Sequence, residues 1–421
     1  MQSLSRWLAL TSAVAIAASA ATTLRAQSVA ANAAVASGTV ARIELAAPST
    51  LAPFMAGGRI FDVAASGALQ VRNGLNGVPR DILPTGTFST VAPSPDGKYV
   101  AYAVGPAHTG SYDVRVRDVD TGRDLSDVLH NSRISPAPWS HDNKGFLYVK
   151  EEVPGGRQRV YYHGLGREPA KDAIILSQFD HPDWRYDARV SDDGNYAVFT
   201  ISYSADNHTR IYFIDLANPG KPNFGAPVVK LTQAFDARYE FVDNAGSYFF
   251  LQTNRGAPHG QILLANTDVI RESRWPALIK PTDDSLLFAR TAGDEYLVAV
   301  YRSHSGAEVA TVFGPQDPSV LRQEMQQRFD SLKQAREKKG EDRPERPLDT
   351  RGLAGNGPAI RLVRRTDIPI PAGASIIAMN SIADQEQLFY TVRLSDGTRQ
   401  SFVYDVKNGH NDPYLSSPST R

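Results

Sequence analysis

The chain repeats one short pattern six times: a turn rich in Asp, Gly or Asn, followed at once by an apolar strand. The copies read SPDGKYVAYAV (94–104), SHDNKGFLYVK (140–150), SDDGNYAVFTI (191–201), VDNAGSYFFLQ (242–252), AGDEYLVAVY (292–301) and ADQEQLFYTV (383–392). Their marker aspartates are Asp96, Asp142, Asp193, Asp243, Asp294 and Asp384, spaced 46, 51, 50, 51 and 90 residues apart. A period of roughly 50 residues marks a repeat architecture, in which neighbouring units bury faces that none could bury alone.

Each unit carries a second strand beyond its marker: DVRVRDV (113–119), RVYYHGL (159–165), RIYFIDL (210–216), QILLANT (261–267), AEVATVF (307–313) and SFVYDV (401–406). Most alternate β-branched or aromatic residues with polar ones, as half-buried strands do. Short apolar runs such as DAIIL (172–176), PVVKL (227–231) and PALIK (276–280) close several units. About four strands per unit is the content of a propeller blade. An earlier unit, GGRIFDVAAS (57–66), ALQVRN (68–73) and PRDIL (79–83), fits with a degenerate turn and brings the count to seven. The expected fold is all-β, a seven-bladed β-propeller of four-stranded blades over 57–410. A polar tail is expected to follow at 411–421.

The 90-residue gap holds about 40 surplus residues beyond one period, at 315–357. Asp317 and Pro318 are suited to start a helix, and Leu321, Met325, Phe329 and Leu332 share one face. The spacing predicts one helical insertion in the sixth blade, with a helix at about 318–339 and a charged, Pro/Gly-rich linker after it. It reads as a surface helix on the propeller flank, or as a docking arm or lid.

Lys+Arg and Asp+Glu both total 45, so no one-signed field points to nucleic acid or an anionic membrane. Residues 1–26 read as a secretory signal: Arg6, an apolar stretch from Trp7 to Ala21, then small residues with cleavage sites after Ala20 or Ala26. The expected location is periplasmic or secreted, by bacterial export, with no stable membrane insertion after cleavage. Residues 27–56 read as an Ala/Thr/Ser-rich extension. The absence of cysteine excludes disulfides, thiolate metal sites and cysteine nucleophiles.

Catalytic patterns are missing. No G-x-S-x-G elbow, H-E-x-x-H pair, Walker A loop or dinucleotide fingerprint occurs, and the nine histidines are scattered. The Asp-rich turns at Asp192-Asp193-Gly194 and Asp118-Val119-Asp120 lack the later ligands of an EF-hand and serve as hairpin turns instead. No cofactor and no metal is expected. Trp139, Trp184, Tyr186, Tyr239 and Phe241 stand at blade starts, either as core between blades or as lining of a channel mouth for peptide or partner.

Several stretches together resemble the propeller of the prolyl oligopeptidase family. They are Asp124-Leu125-Ser126-Asp127-Val128-Leu129, Trp139-Ser140-His141-Asp142 with Lys144-Gly145-Phe146, VYYHGLG (160–166), HPDWRYDARVSDDGNYAVFTIS (181–202) and DARYEFVDNAGSYFFLQTNRGAPHGQI (236–262). The resemblance covers about 57–313 and, more weakly, 358–407. It implies a gatekeeping propeller joined to a serine-peptidase α/β-hydrolase domain, and a ring left open between first and last blades. It carries over no triad residue, since the family bears its triad outside the propeller. Ile134 and Pro136 stand where the family tends to present Phe and Cys to the cavity. The expectation is an exported propeller without its own catalytic centre that binds peptide or protein. Two alternatives are the propeller half of a split serine-type endopeptidase, completed by a separate hydrolase chain, and a structural envelope protein.

Overall fold

The computed structural model describes residues 52–105, 112–153, 156–203, 207–293, 295–316, 327, 361–381 and 385–414. They form seven four-stranded antiparallel sheets, each a meander of strands consecutive in sequence. The blades span residues 54–83, 90–129, 132–176, 184–230, 239–279, 285–367 and 375–414. The first strand, β1 (Phe54–Ala56), lies within the stretch expected to be an extension, and the last, β28 (Asn411–Tyr414), within the expected polar tail. Both are short and lack alternation, and Pro413 is tolerated because β28 is an edge strand. The insertion leaves the sixth blade between β23 (Glu308–Pro315) and β24 (Leu362–Asp367), where Gln316 N donates to Arg361 O at 3.2 Å. Its expected helix lies outside the described residues except Gln327, as do the signal segment, Asp294 and Asp384.

Seven hydrophobic clusters hold the blades, one at each junction. Leu147, Trp184 and Phe199 belong to the cluster between blades three and four, and Val298, Leu388 and Tyr390 to that between six and seven. The ring-closing cluster between blades seven and one has only four fully buried members, Ala52, Ile60, Phe389 and Tyr414. No strand is exchanged there. Asn380 Nδ2 donates to Ala52 O at 2.9 Å, and the Arg72 guanidinium lies 4.9 Å from the Tyr414 ring centre while pairing with buried Asp62 at 3.5 Å.

Three of the marker aspartates build the same turn. Asp96, Asp142 and Asp193 each accept from the serine two residues earlier (Ser94, Ser140 and Ser191, 2.6–2.7 Å) and from the backbone N–H two residues later (3.0–3.2 Å). These Asx turns connect first to second strands, and they touch around the ring. Asp96 N donates to Asn143 Oδ1 at 3.0 Å, and Asn244 Nδ2 to Asp193 Oδ2 at 2.7 Å. Gly57, at φ 56°, sits so close to the Asp96 carbonyl that a Cβ would lie 2.0 Å from its oxygen, while Gly58 has open space but a left-handed φ of 74°. Asp243 corrects the pattern. It lies not in a turn but in β17 (Tyr239–Ala245), just past a bulge between Phe241 and Asp243. The turn is made by Gly246 and Ser247.

A second set of bonds works at the other end of the strands. The first residue of a third strand reaches the backbone near the head of the next blade. Gln158 Oε1 accepts from Tyr186 N (3.1 Å), Thr209 Oγ1 from Tyr239 N (2.7 Å) and Glu308 Oε2 from Ile376 N (2.7 Å). Between blades two and three stands a buried polar latch. His163 Nε2 lies 2.8 Å from Asp127 Oδ1 and its Nδ1 lies 2.9 Å from Asp172 Oδ2. Gly166 N and Tyr148 Oη donate to the same two carboxylates at 2.7 and 3.0 Å.

Replacing His163 with Gln strands at least one buried carboxylate, and its cost is expected at about 3–5 kcal/mol, read as a lower urea midpoint with unchanged slope. An unchanged midpoint would refute the latch. Asp243 gives a pH test. Burial pushes its carboxyl up to about 7 from 3.8, repulsion from Asp192 adds, and the hydrogen bond from Thr291 Oγ1 (2.7 Å) opposes. A folded-state value above the unfolded one favours the folded state most below pH 3.8, and that contribution is lost as pH rises through about 7. Asp243→Asn keeps an acceptor for Thr291, so its Tm advantage over the wild type is expected to widen by a few degrees from pH 5 to pH 8. An advantage flat across that range would contradict the assignment.

Candidate functional site

The first strands crowd the axis: β1 contacts β25 (Ser375–Ser381), and β21 (Ser285–Ala292) contacts both β17 and β25. The fourth strands, with patterns such as the mostly exposed β24, form the rim. The side chains of a first strand alternate between the two faces of its blade, each of which meets a neighbouring blade. In β13 (Trp184–Val190) the buried residues are Trp184, Tyr186, Ala188 and Val190, and the alternate set is Arg185, Asp187 and Arg189.

One charged group spans three blades. Arg189 comes from blade four, Glu240 and Asp243 from blade five, and Arg290 and Thr291 from blade six. Blades four and six are not neighbours, so their side chains can share a field only at the inner edge of blade five. Arg290 lies within electrostatic reach of Glu240, Arg189, Asp192 and Asp243. Burial holds its pKa below the usual arginine range; Glu240 opposes this and Arg189 adds to it. The bulge in β17 re-aims Asp243 toward this cluster, as bulges do beside sites. Arg189 Nη2 lies 3.6 Å from Asp192, its Nη1 donates to Phe241 O at 3.4 Å, and its Nε is buried without a partner. Glu240 is already engaged by Arg238 at 3.0 Å.

The five aromatic candidates all lie in inter-blade cores, at 1–5% exposure. Trp139 Nε1 donates to Ala92 O (2.9 Å) between blades two and three, and Trp184 is stacked by His181 at 4.1 Å. Tyr186 packs in the same cluster as Trp184, while Tyr239 and Phe241 pack between blades four and five. None offers an open ring face to a ligand. Ile134 is buried in the core of blades two and three, and Pro136 is exposed.

Among the described residues no three His, Asp or Glu side chains converge as metal ligands. The carboxylates of Asp96, Asp142 and Asp193 are occupied by serine hydroxyls and backbone N–H groups. The nearest approach to a nucleophile pair is exposed: His259 Nδ1 lies 3.4 Å from Ser285 Oγ, and the neighbouring ring is His304 rather than a carboxylate. Asp127, His163 and Asp172 have triad-like order without a nucleophile. The sequence left these charged residues unmarked, because Arg189 and Arg290 sit about 100 residues apart; only the repeat period could have aligned their strands.

Residues 84–414 match the family model of the prolyl oligopeptidase N-terminal β-propeller domain. Prolyl oligopeptidase A of Galerina marginata is 30% identical over 255 residues, covering 53% of this chain and 34% of that protein. The prolyl endopeptidase of Elizabethkingia meningoseptica is 24% identical over 226 residues, covering 52% and 31%. A solved prolyl endopeptidase superposes with a TM-score of 0.68 at 20% identity, covering 94% of this chain and 54% of that one. Prolyl oligopeptidase B of Galerina marginata bound to a 35mer substrate gives 0.61 at 18%, covering 88% and 51%. The chain thus spans about a third of the curated relatives it matches and about half of the solved ones. It belongs to the prolyl oligopeptidase N-terminal β-propeller family.

Proposed function

We propose that this is an exported propeller that binds peptide in its central channel and has no catalytic centre of its own. The observation that carries this reading is the set of charged side chains on the first strands of blades four, five and six, in a fold whose solved relative was bound to a 35mer substrate. Inner strands packed only for stability would present small or apolar edges. Here Arg185, Asp187, Arg189, Glu240 and Arg290 stay partly exposed at the innermost strands. Peptides carry backbone carbonyls, amides and terminal charges that such a lining recognises.

A second reading is favoured by the extent of the match. In it a separately encoded hydrolase completes a split serine-type endopeptidase, of whose solved relative this chain aligns with 54%. In that case the propeller controls which peptides reach the partner's active site.

The purified chain is expected to raise the anisotropy of a fluorescent proline-containing peptide saturably, without cleaving a Gly-Pro reporter and without fluorophosphonate labelling. Labelling of a serine in this chain would overturn the first reading. Appearance of cleavage only on adding a hydrolase chain would move the assignment to the second. Export predicts a mature N-terminus at Ala21 or Gln27, checked by N-terminal sequencing of periplasmic material. An intact Met1 there would refute signal cleavage.

A further inference from the structure

We infer that a cleft between blades one and two binds a small apolar carboxylate, with Arg115 as the group that recognises the anion. The site is separate from the channel and does not depend on peptide binding there. The cleft has a volume of about 290 Å³; Leu83, Pro84, Tyr102 and Val104 supply its apolar walls, and Thr87, Arg115 and Arg117 its polar groups. Strand register places the two arginines. Between β6 (Tyr99–Val104) and β7 (Asp113–Asp118), Tyr102 stands opposite Arg115 and Val100 opposite Arg117. Residues directly opposite share one face of a sheet. Val100 and Tyr102 belong to the core that blade two shares with Leu83 of blade one, so both arginines stand on the face toward blade one.

One polar group of the cleft is left over. Thr87 Oγ1 donates to Pro84 O at 2.6 Å, and Tyr102 Oη to Asp124 Oδ2 at 2.8 Å. Arg117 donates from Nε to Asp124 Oδ1 at 2.7 Å and from Nη1 to the Ile82 carbonyl, and its guanidinium lies 5.8 Å from the Tyr102 ring centre. Arg115, only partly exposed, has no hydrogen bond, ion pair or ring contact among the described residues. The other acid on that face of β7, Asp113, lies 3.0 Å from His130 Nδ1 instead. A guanidinium carries five N–H donors in a planar fork that matches a carboxylate by paired donation. Apolar walls beside one uncommitted cation select a ligand that has both parts: the walls take hydrocarbon and Arg115 takes the anion. Ligand pockets run from roughly 300 to 1,000 Å³, so this cleft suits one aromatic or branched aliphatic group rather than an extended chain. A free peptide C-terminus on such a residue presents the same chemistry as a small organic acid.

Two pairs of probes, titrated into the purified full chain at pH 7 by ligand-observed NMR, test this. One pair is 3-phenylpropionate and 3-phenylpropionamide; the other is a tetrapeptide ending in Phe, as the free acid and as the C-terminal amide. At least one acid is expected to bind about tenfold more tightly than its amide, a charge-assisted hydrogen-bond effect. The pair that shows the preference identifies the source of the carboxylate. In Arg115→Gln the preference is expected to fall to within about twofold, while affinity for the amide stays constant. Arg115→Lys, which keeps the charge and loses the fork, is the second variant should Arg115→Gln fail to fold, and its preference is expected to fall to about threefold. Adding 3-phenylpropionate is expected to leave the anisotropy of a channel-bound proline-containing peptide unchanged. Displacement of that peptide would put the acid in the channel and overturn the inference. Equal binding of acid and amide in both pairs would overturn it and leave the proposed function standing. A full preference that survives in the folded variants would also overturn it.

Discussion

A four-stranded sheet with two apolar faces cannot bury either one alone, and every other feature here follows from that deficit. Each blade places one face against its predecessor and the other against its successor, so the structure is complete only when the seventh meets the first. Burying one large apolar side chain contributes about 1.5–3 kcal/mol, and the ordinary junctions bury nine or more residues each. The closing junction buries four and adds polar contacts from Asn380 to the Ala52 carbonyl and from Arg72 to the Tyr414 ring. Burial raises the Asp62 carboxyl to about 6, with Arg72 opposing. Closure is therefore the least apolar joint of the ring, held by side chains rather than by an exchanged strand.

The same packing creates the channel. Inter-blade cores claim the apolar residues of one face of each first strand, and alternation turns the remaining side chains to the other face, where Arg189 meets Phe241 of the next blade. In β13 that remainder is Arg185, Asp187 and Arg189. Side chains far apart in sequence are brought together by the ring, as Thr291 of blade six meets Asp243 of blade five at 2.7 Å. An arginine that would be solvated on an outer strand keeps part of its burial penalty here, as Arg290 does. Such a group gains more from an incoming anion than a surface arginine would, because water is a weaker competitor in a confined site.

The repeat was legible because a tight hairpin restricts which residues can make it. Ser94, Ser140 and Ser191 with Asp96, Asp142 and Asp193 are nearly the only side chains able to bond their own backbone that way. The blade count and the place of the insertion followed from the spacing of such turns. Asp243 misled because composition alone does not separate a turn aspartate from a strand aspartate two residues before a turn. The aromatics were ambiguous for a related reason: a blade start is both the edge of a core and the wall of a channel, and only side-chain direction decides. His163 was invisible as a latch because its partners, Asp127 and Asp172, come from two different blades. Its motif, VYYHGLG, together with that of Asp127, contributed to the family resemblance, so part of that resemblance encodes a joint of the fold rather than a site.

Topology also separates two faces that the sequence could not. Strands one and three of a blade run parallel, so the Asx turns and the loops between third and fourth strands share one face. The insertion of blade six leaves and returns on that face, at Gln316 and Arg361. The chain enters β1 and leaves β28 on the opposite face. A group carried by the insertion and a domain continuous with the ends of the propeller would therefore meet opposite mouths of the channel. Arg189, Asp243 and Arg290 lie toward the ends of their first strands, on the side of the Asx turns.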